Sequence, residues 1–289
     1  VGQCGLSAIL YVVVSVVVLG SGTPNPDPDR AGSAVAVTDL DSWVLIDCGR
    51  GATLRAIAAG LDLTRLVGVF LTHHHSDHIS DLATLAIARW STGCAAPLAV
   101  HAPDGPAARF ADACLDAFDD DCFHGQTDPE AGPRPHIEVH RFAPTADVTT
   151  VMDTQGWTLR TALVDHHPIE PATGYRVERS GVAIMVSGDT RVCDGVRALA
   201  HGAQVVVHEA LLGQRVSASL LTWNASAESV GALAAVVRPA TLILTHLIPA
   251  AITDDDDAAY LADVRRGGFD GHTIVARDLL RIHVTPRER

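Results

Sequence analysis

Short apolar runs broken by Gly-, Pro- and Asp-rich turns set the pattern of this chain. Runs of this length and content are those of buried strands. They predict strands at Val16–Gly20, Ala34–Thr38, Trp43–Asp47, Leu66–Leu71, Leu98–His101 and Ile137–Phe142. A second block follows at Trp157–Val164, Tyr175–Val177, Val182–Ser187, Val205–His208, Thr241–Thr245 and Leu279–Val284. Helical periodicity falls between the runs, at Thr53–Ala59, Asp81–Trp90, Pro106–Phe118, Asp194–Ala200, Ser226–Val237 and Ala258–Arg266. Val230, Leu233, Ala234 and Val237, for example, share one face of the Ser226–Val237 segment, the stripe that packs on a core. Asp119–His136 reads as a polar surface loop, its Asp119-Asp120-Asp121 triplet as a solvated helix end. Asp254–Asp257 reads as four carboxylates complementing the dipole of the helix that follows. No linker and no internal repeat divides the two blocks. The pattern alone gives a mixed α and β chain forming one domain over residues 1–289, with residues 1–15 as an N-terminal extension.

The segment Leu6–Gly20 is almost wholly apolar but short for a membrane span, and no basic stretch precedes it. Its second half reads as the first strand; a signal anchor is the alternative. The 289 residues are 47% hydrophobic, enough for a sizeable core. The net charge of −13 disfavours non-specific binding of nucleic acid, which needs a basic surface. No CxxC pair occurs among the six cysteines, which read as free thiols in a reducing cytoplasm. The Gly20–Arg30 loop lacks the third glycine and the following helix of a dinucleotide fingerprint, and its prolines exclude that helix.

The chemistry gathers at Thr72-His73-His74-His75-Ser76-Asp77-His78, directly after the apolar run Leu66–Leu71. Imidazole and carboxylate are ligands of zinc, iron and manganese. The His73-x-His75 alternation puts two rings on one side of an extended segment. Asp77 and His78 follow as the chain turns, in reach of a second ion, as a two-metal hydrolytic site requires. The bland alternative is a solvated His-rich loop or a structural metal site. Three later strand ends each offer a further donor: Asp165-His166-His167-Pro168, Gly188-Asp189-Thr190 and Thr245-His246-Leu247.

His73-x-His75-x-Asp77-His78 resembles the signature of the metallo-β-lactamase superfamily. The resemblance runs from about Val16 to Val284 and implies an α/β fold, a four-layer αββα sandwich with the metal site at one edge between the sheets. It implies His73, His75 and His166 on one ion, with His167 the alternative to His166; Asp77, His78 and His246 on the other; and Asp189 bridging both. The ions are two divalent cations, zinc first, manganese or iron otherwise, and a water between them is the nucleophile.

The opening loop Gly20–Arg30, the Gly174-Tyr175-Arg176 segment and Val207-His208-Glu209-Ala210 place the resemblance nearest ribonuclease Z and the arylsulfatase-like branch. There Glu209 would serve a proton relay with Asp77, or hydrogen-bond a ligand histidine. Four departures weigh against tRNA processing. The relay histidine's position is taken by Asn224. Only Val177–Ser187 separates the segments between which a tRNA-binding arm would lie. The basic opening loop is replaced by Pro26-Asp27-Pro28-Asp29-Arg30, and the net charge is acidic. The expected function is therefore a two-metal hydrolase of a small phosphodiester or sulfate ester, with Asp77 and Glu209 as catalytic residues. A ribonuclease Z-type endonuclease on tRNA precursors is the first alternative, a β-lactamase or lactonase the next, and a non-catalytic metal-binding scaffold a further one. A small ester as partner, nucleic acid disfavoured, no membrane role and a homodimer complete the expectation.

Overall fold

The computed structural model describes residues 13–118 and 134–286. The chain begins with β1 (Val14–Gly20), β2 (Ala34–Thr38) and β3 (Trp43–Ile46), then helix α1 (Ala52–Ala58) and β4 (Leu66–Phe70). The one-turn helix α2 (Ser76–Ile79) and α3 (Leu82–Ser91) lead to β5 (Leu98–Pro103), α4 (Pro106–Ala113) and β6 (Ile137–Phe142). The second half holds β7 (Thr149–Thr154), β8 (Trp157–Leu163), β9 (Thr173–Arg179), β10 (Val182–Val186), α5 (Asp194–Ala200) and β11 (Val205–Leu211). It closes with α6 (Ala227–Val237), β12 (Thr241–Ile248), α7 (Asp254–Arg266), β13 (Thr273–Val275) and β14 (Leu280–Val284).

Two seven-stranded mixed sheets result, in the orders β14-β1-β2-β3-β4-β5-β6 and β13-β12-β11-β10-β9-β8-β7. Strand alternation builds three apolar layers from them. In β1, Val14, Val16 and Val18 face the other sheet with Val35, Val37, Trp157, Tyr175, Val177 and Ile243. Val17 and Leu19 face the opposite way, into α1, α3 and α4. On the far side, Met185, Val206, Leu242 and Leu244 pack under Val196, Val230, Ala234 and Tyr260 of α5, α6 and α7. Helices on both outer faces of two packed sheets make the αββα sandwich that the resemblance implied.

Several boundaries differ from the pattern's expectation. The strands β7 and β13 escaped it because both lie at sheet edges and are largely half-buried or exposed, with no clean apolar run. The four carboxylates at 254–257 are the first turn of α7 itself, set by a capping box between Thr253 and Asp256. The helix from Pro106 stops at Ala113, and Asp116–Phe118 is a separate turn. The Asp119-Asp120-Asp121 triplet and most of the residue 1–15 extension lie outside the described residues. Among those described, Cys48, Cys94, Cys114 and Cys193 are free thiols, and no helix is long and apolar enough to cross a membrane.

A buried imidazole in β5 adds to the fold's sensitivity to acid. His101 of β5 stacks on Phe70 at 4.6 Å, and His140 stacks on its other side at 4.6 Å. Burial, and then His140, push the His101 pKa down to about 4. A depressed histidine pKa contributes stability above the unfolded value near 6.5, and that contribution is lost as pH falls towards 4. His101→Phe should therefore flatten the fall in urea midpoint between those pH values; an unchanged acid limb would exclude His101 as its cause.

Candidate metal centre

All the donors meet at the ends of β4, β10 and β12 and the turn after β8. His73 and His75 lie in the extended stretch after β4, and Asp77 and His78 fall in α2. The stretch is stitched to the second sheet. Thr72 O accepts hydrogen bonds from Thr173 N at 3.0 Å and Thr173 Oγ1 at 3.0 Å, and Tyr175 Oη donates to Leu71 O at 2.8 Å. Asp189 follows Gly188, which has φ of 63° and whose added Cβ would lie 2.9 Å from Thr72 Cβ. Only glycine lets the two strand ends approach so closely.

His246 reaches the centre by a bulge. The β11–β12 register runs Glu209↔Thr245 and then Ala210↔Leu247, leaving His246 as the extra residue, with φ of 48°. An unpaired residue in a bulge re-aims its side chain away from the strand's own alternation.

Two groups result. Ligand atoms of His73, His75, His166 and Asp189 lie within 4.8 Å of one another, and so do those of Asp77, His78 and His246. Asp189 touches both: its Oδ1 lies 3.3 Å from His78 Nε2, and its Oδ2 lies 3.4 Å from His246 Nε2 and 3.9 Å from His73 Nε2 and His166 Nε2. His166, not His167, belongs to the cluster. His167 is exposed and faces Glu170 instead.

The surroundings fix which ring nitrogen is free. Asp47 Oδ2 accepts from His78 Nδ1 at 2.7 Å, and Asp47 Oδ1 from Thr72 N at 2.8 Å. The Thr72 hydroxyl donates to Asp47 at 2.9 Å and therefore accepts from His73 Nδ1 at 2.9 Å. His166 Nδ1 donates to Trp223 O at 3.0 Å, under the Trp223 ring stacked on it. Each of these rings is held with Nδ1 protonated and Nε2 bare, the arrangement a metal-ligating histidine needs. His73 Nε2, His78 Nε2, Asp77 Oδ1 and Asp189 Oδ1 are buried without a hydrogen-bond partner. Such atoms are costly unless something charged meets them, so the residues present fit a pair of cations.

The protonation preferences agree. Burial alone would raise Asp189, yet the charges of His246 and His78 hold it well below the ordinary carboxylate value. Burial would lower His78, yet Asp189 and Asp47 raise it well above the ordinary imidazole value. Positive charge is wanted here, and a cation can supply it in place of those protons.

Asp47 and Thr72 were not among the residues singled out from the sequence. The one signal was an ionisable residue directly after the wholly apolar, buried β3. Glu209 is buried, and its Oε1 accepts from Thr190 N. Among the described residues it bonds neither Asp77 nor a cluster imidazole, so it anchors the turn after Asp189. Asn224 is buried, and its amide donates to Leu220 O at 3.2 Å, within its own turn.

The beta-lactamase superfamily domain model matches residues 42–247. Ribonuclease Z of Mycobacterium marinum is 35% identical over 287 residues, covering 95% of this chain and 100% of that protein. The chain belongs to the beta-lactamase superfamily, on its ribonuclease Z branch. Ribonuclease Z of Mycobacterium bovis is 34% identical over 286 residues, again covering 95% of this chain and all of the relative (100%). The fold of metallo-beta-lactamase fold protein YhfI from Bacillus subtilis superposes with a TM-score of 0.71 at 17% identity, over 94% of this chain and 100% of that one. Human tRNase Z, short form, gives 0.68 at 22% identity, over 93% and 98%.

Membership makes the chain a metal-dependent hydrolase, and it corrects the small-ester reading. That reading rested on Asn224 at the relay position, the missing arm, the altered opening loop and the net charge. The relatives named ribonuclease Z align over their whole length, so they contain no large segment that this chain lacks. Net charge misled because it is a sum over the surface. A sum of −13 does not give the sign of the field at any one groove.

Proposed function

We propose that this chain is a ribonuclease Z-type endonuclease that cuts the 3′ trailer from precursor tRNA. Whole-length identity of 35% to a ribonuclease Z carries the reading, and the convergent donors supply its chemistry. His73, His75 and His166 would hold one divalent cation, zinc first, with Asp77, His78 and His246 on a second and Asp189 shared. When bound, such a cation pair acidifies an attacking water and neutralises charge developing on the phosphoryl oxygens.

The chain's own residues do the positioning. Asp47 and Thr72 lock the His73 and His78 rings by taking their Nδ1 protons. Trp223 does the same for His166 through its carbonyl and covers that ring with its indole. Glu209 holds the backbone of Thr190 and so the aim of Asp189. Asn224 spends its amide on Leu220 O and holds no titratable proton for the leaving oxygen.

The direct test incubates zinc- or manganese-loaded protein with a precursor tRNA bearing a 3′ trailer. Release of the trailer is expected, abolished by chelator and restored by added metal. Intact precursor with a fully loaded protein would refute the reading and favour the metal-binding scaffold.

A further inference from the structure

Two adjoining cavities lie along the opening loop. The first, about 300 Å³, begins at Leu247, next to His246, and is walled by Ile248, Pro249, Ser21, Asn25 and Arg30. The second, about 470 Å³, shares Asp27 and Arg30 with it and is walled further by Arg50, Leu54 and Arg55. Each is of a size that holds a ligand fragment.

Three guanidiniums line this groove, and two are already engaged. Arg30 is buried and donates to Ser21 Oγ at 2.8 Å, Ala276 O at 3.1 Å and Ala251 O at 2.6 Å. Arg55 Nε donates to Asp278 Oδ2 at 2.8 Å. Arg50 differs. Its guanidinium makes no hydrogen bond or ion pair with the described residues, and its Nη2 is buried without a partner. The one carboxylate among the lining residues, Asp27, accepts from Asp29 N at 2.8 Å. Asp278 and the Asp29 carbonyl engage Arg55, so Arg50 is the guanidinium of the lining left to meet an anion.

Arg50 is also held rigidly relative to the centre. Its carbonyl accepts from Gly32 N at 2.8 Å, and Gly49 N donates to Ser33 O at 3.0 Å. An added Cβ on Gly49 would lie 1.9 Å from Asp77 O, so this backbone packs directly against the turn that carries Asp77. A buried guanidinium nitrogen without a partner is costly, and the planar fork takes a phosphate, as it takes a carboxylate, through two parallel hydrogen bonds.

We propose that Arg50 grips a backbone phosphate of the RNA, one removed from the scissile bond, in the groove along the opening loop. The assignment rests on the ribonuclease reading. Arg30 and Arg55 add field without contact.

The test compares metal-loaded wild type, R50Q and R50K under single-turnover conditions on precursor tRNA at several salt concentrations. R50Q should raise the RNA concentration at half-maximal rate roughly tenfold and leave the maximal rate within about twofold. Its salt slope should fall by about 0.7 to 1, the loss of one phosphate contact. R50K, which keeps the charge but loses the fork, should fall between. A merely structural role would lower the maximal rate and the melting temperature instead. Unchanged half-saturation and salt slope in R50Q, with wild type active, would overturn the Arg50 assignment alone. Wild type leaving the precursor intact would overturn the ribonuclease reading and this assignment with it. Inorganic phosphate serves as a third arm. If it inhibits wild type but not R50Q, while RNA half-saturation is equal in both, the groove takes a free anion and the assignment to RNA fails.

Discussion

Asp189→Ala is expected to lose metal and RNA cleavage together. Asp189 is the one residue whose oxygens approach both donor groups, 3.3 Å from His78, 3.4 Å from His246 and 3.9 Å from His73 and His166. Its removal leaves five imidazoles without the carboxylate that ties them into one centre. Metal content should fall from about two ions per chain to one or none. Cleavage should fall by at least about a thousandfold, equivalent to ~4 kcal/mol of transition-state stabilisation. The fold itself should survive, since its three apolar layers do not involve this residue. Elemental analysis, circular dichroism and trailer release on one preparation check all three. Wild-type metal content and activity in the variant would remove Asp189 from the centre.

Asp47→Asn should cost about ten- to a hundredfold in metal affinity or activity, the range for groups that orient ligating histidines. The reason is a count of acceptors. Thr72 N–H and His78 Nδ1–H enter different oxygens of the Asp47 carboxylate, at 2.8 Å and 2.7 Å. An amide has one oxygen, so one of these donors must face an NH₂ group. If His78 sheds its Nδ1 proton to relieve the clash, the proton moves to Nε2 and blocks the atom that faces Asp189. Asparagine tolerates the left-handed backbone at this position, φ 59°, so the substitution tests the hydrogen bonds and not the turn. A competition titration with a metal chelator measures the effect. Unaltered affinity would mean that His78 is oriented by something other than Asp47.

What the sequence made legible follows from where the chemistry sits. His73, His75, Asp77 and His78 fall within one turn after an apolar strand, and polar donors so placed have few structural reasons to be there. His166, Asp189 and His246 could be found only because a family order suggested where to look; each alone is a polar residue at a strand end. Asp47 lay in plain view yet resembled any acid closing a strand, and its importance comes from His78, distant in sequence. Glu209 was expected near Asp77, but its bond is to Thr190 N, a contact across sheet ends that no local pattern encodes. The edge strands β7 and β13 were missed because edges need not be apolar. The substrate was misjudged because charge was counted over the whole chain, and a sum of −13 does not say which sign faces one groove.

The left-handed residues at the centre carry a last implication. His246, at φ 48°, and Asp47, at φ 59°, both hold a conformation that a side chain with Cβ adopts at a cost of about 1–2 kcal/mol. Each is kept there by what it must point at. Glycine at 246 would relax the bulge and remove only a metal donor. Glycine at 47 would strand the buried Thr72 N–H and His78 Nδ1–H. Thermal robustness and chemistry therefore pull apart at His246 and pull together at Asp47, so a lineage selected only for endurance would keep the carboxylate and shed the bulged histidine.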